Sequence, residues 1–129
     1  MKVGFTGNRQ GLSDRQKDLI NDFLKHNQVT EVHHGDCLGA DADFHDLCHD
    51  HYPQINIYIH PPTDSKMRAF KLSNNILKSY LYIKRNHNIV NETDILLACP
   101  FIEKEELRSG TWATIRYARK IGKSVNVYV

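Results

Sequence analysis

Short apolar runs alternate with amphipathic stretches along the whole chain. Lys2 to Thr6 is apolar enough for a buried strand and stops at Gly7. "SDRQ" from Ser13 has the form of a capping box, with Ser13 capping and Gln16 reaching back; behind it Leu19, Ile20, Phe23 and Leu24 recur at one and four residues. That stripe predicts a helix lying on a sheet. "TEVHHG" reads as a second strand ending at Gly35, with His33 and His34 on opposite faces. From Gly39 onward Ala40, Phe44, Leu47 and Cys48 share one helical face, with Asp41, Asp43, His45 and Asp46 off it. "INIYIH" is a β-branched third strand halted by Pro61 and Pro62.

Thr63 to Ser79 carries no clear period and is expected to be an irregular loop or lid with room for a helical turn. Leu81 to Glu92 fits a helix with Ile83, Ile89 and Val90 inward, and "DILLACP" a buried strand stopped by Pro100. Phe101 to Arg108 is a charged loop. Thr111 to Ile121 follows as a helix closed by Gly122, with Arg119, Lys120 and Lys123 near its C-terminal end, where cations oppose the helix dipole. "SVNVYV" is the fifth strand. Strands alternating with helices in this way predict one α/β domain over residues 1–129, a Rossmann-like three-layer α/β/α unit with a mainly parallel five-stranded sheet.

Bulk properties narrow the function. A chain of 129 residues is long enough for a real core, and 40% hydrophobic with 25% charged residues is an ordinary globular composition. The net charge of +2 is too small to make duplex DNA or an anionic membrane the expected partner. No apolar run approaches the roughly 18 residues needed to span a bilayer, and no secretory h-region opens the chain. Cys37, Cys48 and Cys99 have neither CxxC spacing nor an even count, so a disulfide framework is not expected and a reducing, cytoplasmic setting is.

Ligands of such sheets gather at the carboxyl ends of the strands, and three segments there carry unusual residues. "TGNRQGLS" combines Gly7 with Asn8 and Arg9 but lacks the GxGxxG of a dinucleotide fingerprint. "HGDCLGAD" sets Gly35 and Gly39 around a turn where free amides favour an anion, while Asp36 and Asp41 suit a ribose, a base or a helix cap. Arg108, Ser109, Gly110 and Thr111 stand at the mouth of the last helix, where dipole, amides, hydroxyls and a guanidinium converge on one phosphate. Trp112 beside them could stack on a base or simply pack. His45 and His49 are four apart but lack a third ligand at defined spacing, so no metal is expected, and no cofactor is implied. Cys48 and Cys99 read as core residues without a paired base.

Together "GNR", "HGDCLGADADFH", "RNHNIVNETDILLA" and "RSGTWATIRYARKIGKSV" resemble the SLOG superfamily, the Rossmann-like group that includes the DNA-processing protein A and the LONELY GUY phosphoribohydrolases. The likeness is strongest to small single-domain YspA-like bacterial and phage proteins. It implies a pocket for a nucleotide or nucleotide-derived small molecule, built from Gly7, Asn8 and Arg9, from Gly35, Asp36, Gly39, Ala40 and Asp41, from Arg85 and Asn86, and from Ser109, Gly110 and Thr111. It also implies a homo-oligomer. The phosphoribohydrolases carry GGxGTxxE, whose glutamate serves cleavage of the base-to-ribose bond; with Thr111 on the motif threonine, the glutamate position is Thr114, which cannot act as a general acid.

Two functions follow as expectations. One is binding or sensing of a nucleoside phosphate, an ADP-ribose relative or a cyclic nucleotide. The other is an enzyme at an N-glycosidic bond, a deoxyribosyltransferase or nucleotide hydrolase, with Asp36, Asp41 or Glu106 as catalytic carboxylate. Loading of single-stranded nucleic acid is disfavoured by the lack of a basic stripe.

Overall fold

The computed structural model describes residues 1–102, 104–105 and 109–129. Its elements run β1 (Lys2–Gly7), α1 (Asp14–His26), β2 (Glu31–His34), α2 (Ala40–His51), β3 (Asn56–Ile59), β4 (Asn75–Ile76), α3 (Tyr82–Asn91), β5 (Ile95–Cys99), α4 (Gly110–Lys120) and β6 (Ser124–Val127). Among the described residues these strands pair in parallel throughout, in the order β4-β3-β2-β1-β5-β6. Six strands stand where five were expected. The addition is β4, a two-residue edge strand inside the aperiodic 63–79 segment, where Tyr58 faces Asn75 and Ile59 faces Ile76.

The chain leaves β1 in one direction as far as β4, then returns to place β5 on the other side of β1. Right-handed crossovers therefore put α1 and α2 on one face and α3 and α4 on the other. Strand alternation shows in β5: Leu97 and Cys99 join Phe5, Ile20 and Phe44, whereas Leu96 packs with Val90 and Ala118, and Ala98 with Trp112 and Ile115. Phe5 and Phe44 stack with ring centroids 4.2 Å apart, seating α2 on β1.

Local signals explain the helix starts. Ser13 Oγ accepts the Gln16 N–H at 3.1 Å and Gln16 Oε1 accepts the Ser13 N–H at 3.0 Å, completing the capping box of α1. Helix α3 turns differently from the expected pattern. Ile83 is 74% exposed, and the inward face carries Arg85, Ile89 and Val90. On α2, Asp41 and His45 are buried although the periodicity set them off the apolar face. His45 reaches this state because its Nδ1 lies 2.9 Å from Nε2 of His34. Among the described residues no helix is long and apolar enough to cross a membrane.

Candidate functional site

A cleft of about 590 Å³ opens at the carboxyl edge of the sheet, beside the reversal of strand order between β1 and β5. Its lining comes from the turn after β1, the turn after β2, the first turns of α3, and the start of α4.

The end of β1 contributes Gly7, and the turn after it Asn8 and Arg9. Asn8 is buried and shapes the turn: its Nδ2 donates to the Cys99 carbonyl at 3.0 Å, and its Oδ1 accepts the N–H groups of Gln10 and Gly11 at 2.9 Å each. Arg9 is exposed, with its guanidinium 5.9 Å from the Tyr82 ring centroid.

The turn after β2 separates its two carboxylates. Asp36, with a φ of 57°, does not line the cleft. Its carboxylate accepts Arg68 Nε at 2.8 Å and the Lys71 N–H at 3.1 Å, and its carbonyl accepts the Ala69 N–H at 2.7 Å. Asp36 thus tethers the 63–79 segment and stands outside the cleft lining, unlike the other carboxylate of the turn. Asp41 does line the cleft. Burial pushes its carboxyl up to about 6, against the opposing pull of Arg85 and of the N–H groups of Cys37 and Gly35. It is not the helix cap. That position belongs to Gly39, without a side-chain bond, while Asp41 accepts the Cys37 N–H at 3.2 Å. Gly39 has a φ of 91°, and a Cβ there would stand 2.4 Å from the Arg9 carbonyl carbon and oxygen, so only glycine fits. Gly39 and Ala40 lie behind the lining; the Ala40 N–H donates to the Asn8 carbonyl at 2.8 Å and holds the two turns together.

Helix α3 brings Arg85, Asn86 and Tyr82 to the opposite wall. Arg85 is 4% exposed. Its Nη1 donates to the carbonyls of Gly35 at 2.6 Å and His60 at 3.1 Å, its Nε to Asn86 Oδ1 at 2.7 Å, and its Nη2 to Cys37 Sγ at 3.5 Å. A Cβ on Gly35 would meet this guanidinium at 2.5 Å. Among the described residues no carboxylate forms a direct ion pair with Arg85; its hydrogen bonds go to neutral groups, and the Asp41 carboxyl acts on it through space. The "RN" pair of the sequence is therefore one locked unit: Asn86 fixes the guanidinium of Arg85.

At the start of α4, Ser109 caps with Oγ accepting the Trp112 N–H at 3.3 Å, and Ser109, Gly110 and Thr111 line the cleft. Gly110 has helical backbone, and a Cβ added there would meet no atom of the described residues within 4 Å. Arg108 and Glu106 lie outside the described residues. Thr114 is buried behind the lining, its hydroxyl donating to the Gly110 carbonyl at 2.8 Å. Trp112 packs with Ala98 and Ile115 and does not reach the cleft.

Besides buried Phe5, the aromatic groups that line it are Tyr82, half-buried, and Phe101, 64% exposed. Neither stood out in the sequence, because each follows an apolar or charged run that reads as packing or loop. Cys37 also lines the cleft, its thiol pushed up by burial and by Asp41. Buried Cys99, raised to about 12, is an inert thiol. The His45 and His49 rings stack 6.3 Å apart, and no third ligand joins them among the described residues. Compared with protein-family models, curated proteins and solved structures, the chain matches none.

Proposed function

We propose that the cleft binds a nucleotide or nucleotide-derived anion, a nucleoside phosphate, an ADP-ribose relative or a cyclic nucleotide. The observation that carries this reading is Arg85: a buried guanidinium, held in place by two strand-end carbonyls and lacking an ion-paired carboxylate among the described residues, lines a cavity that also receives the amide end of α4. A bound anion would pair with this guanidinium. The first amides of α4 and the Thr111 hydroxyl suit a phosphate, and Tyr82 and Phe101 offer faces for a base. The volume is within the range of small-molecule sites. The resemblance to the SLOG superfamily points to the same ligand class and to self-association. Light scattering that reports a 14.9 kDa monomer at working concentration would remove the second point.

A ligand at about a hundred times its dissociation constant stabilises a fold by roughly 2.7 kcal/mol. A thermal-shift panel of nucleotides should therefore contain at least one member that raises the melting temperature. Arg9→Ala, at an exposed position, should shrink that rise and leave the unliganded protein unchanged. A silent panel counts against the reading.

One observation favours an enzyme instead. Asp41, raised to about 6 and facing the cleft, is a carboxyl that shuttles between acid and base near neutral pH, as cleavage or transfer at an N-glycosidic bond requires. In that reading Asp41 replaces the absent glutamate of the phosphoribohydrolase motif. Release of free base from nucleosides or nucleoside monophosphates, lost in Asp41→Asn, would put this reading first; no release places binding first.

A further inference from the structure

We infer that His33, His60 and Glu92 form a binding site for a divalent transition metal of the zinc class, on the α3 face of the sheet. The residues come from three separate elements: His33 from β2, His60 from the residue after β3, and Glu92 from the C-cap of α3. His33 Nδ1 lies 2.8 Å from His60 Nε2, His60 Nε2 lies 3.4 Å from Glu92 Oε2, and His33 Nδ1 lies 3.8 Å from the same oxygen. Bonds of about 2.0–2.1 Å in a tetrahedral site give ligand-to-ligand edges of about 3.3 Å, and the three separations bracket that value. Shifts of about half an ångström would complete the triangle, and the glutamate at one corner, half-exposed, is free to make them.

The surroundings also have the form of a ligand site. His33 Nε2 lies 2.9 Å from Glu31 Oε1, so the carboxylate takes the Nε2–H and turns the Nδ1 lone pair toward His60 and Glu92. The His33 ring is held flat against Tyr58, with centroids 4.7 Å apart. His60 is buried, 3% exposed, so its ring is held in place beside His33. Two carboxylates, Glu92 as ligand and Glu31 behind His33, balance a dication. Two imidazole nitrogens and one carboxylate oxygen suit zinc, with water completing the fourth position on the open Glu92 side. A metal here would bolt the end of α3 to β2 and β3. The His60 carbonyl already receives Arg85, so the same residue would join the metal to the wall of the cleft. The inference rests on different residues from the cleft and holds whatever the cleft binds.

Chelator-stripped protein should be titrated with zinc by calorimetry, and with cobalt by visible absorption. The expected result is one ion per chain, a cobalt spectrum of a four-coordinate site, and a melting temperature that rises with zinc. Eight histidines in the chain make stray binding the rival explanation. Glu92→Gln, at a half-exposed helix end, keeps the shape of the side chain. It should weaken zinc at least tenfold and abolish the melting rise, with His49→Gln binding as the parent does. His60→Gln should remove binding, and if that variant does not fold the Glu92→Gln result decides alone. Zinc affinity unchanged in Glu92→Gln, loss of binding in His49→Gln, or no binding to the parent at micromolar metal would overturn the site.

Discussion

Two glycine-bearing turns flank the cleft, and the glycines answer to different constraints. In the β2–α2 turn Gly39 has a φ of 91° and the Arg9 backbone where a side chain would go. Asp36 beside it is fully engaged by Arg68, Lys71 and Ala69. At the start of α4, Gly110 has ordinary helical backbone, and among the described residues nothing stands where a Cβ would go. The fold dictates the first glycine and places no such demand on the second, where alanine would serve the helix better. A residue that costs the fold something without a packing reason points to what approaches it from outside.

Gly39→Ala should have the largest effect. With both the dihedral and the contact against it, the loss should reach about 3 kcal/mol or more, read as a lowered denaturant midpoint. A loss below about 1 kcal/mol would show that the turn relaxes freely and would erase the contrast between the two turns.

Asp41 comes next and tests the cleft side of the same turn. Its carboxyl, at about 6 when folded against 3.8 for an unperturbed aspartate, holds its proton longer in the folded protein. This contribution to stability is therefore present below about pH 4, declines as pH rises through about 6, and is absent above that. At about 1.4 kcal/mol per pKa unit the swing is on the order of 2 to 3 kcal/mol. Asp41→Asn, measured against the parent across that window, should flatten the decline and leave the variant the more stable at pH 7. An Asp41→Asn protein less stable than the parent at pH 7 would make the carboxylate a structural group like Asp36.

Gly110→Ala should have the smallest effect on the fold, a gain of about 0.4–1 kcal/mol from the reduced freedom of the unfolded chain. A loss of stability there would mean that the glycine serves the fold after all, and the comparison would fail from the other side.

Much of this architecture was legible in the sequence because its signals are local and periodic. The capping box at Ser13 and Gln16, the apolar stripe of α1 and the alternation of His33 and His34 all appear where residue spacing places them. The sixth strand was not legible, since two residues at a sheet edge carry no period; β4 is positioned by chain-distant bonds such as Leu77 N–H to the Ile59 carbonyl at 2.9 Å. Ile83 is exposed where the apolar count set it inward, for a related reason: Arg85 takes the inward face. Counting apolar positions sends arginine outward, but strand-end carbonyls of Gly35 and His60 satisfy this one inside. In the turn after β2, Asp36 and Asp41 look alike in sequence. What separates them is Arg68, thirty-two residues further on and within a segment that gave no pattern to read.

The most direct test is calorimetric titration of the parent and of Gly110→Ala, side by side, with nucleoside mono- and diphosphates, ADP-ribose and cyclic nucleotides. The account predicts saturable binding of at least one of them to the parent, and at least tenfold weaker binding to a Gly110→Ala protein that melts no lower than the parent. Equal affinity in the two proteins, or no binding to the parent by any member of the panel, would contradict it.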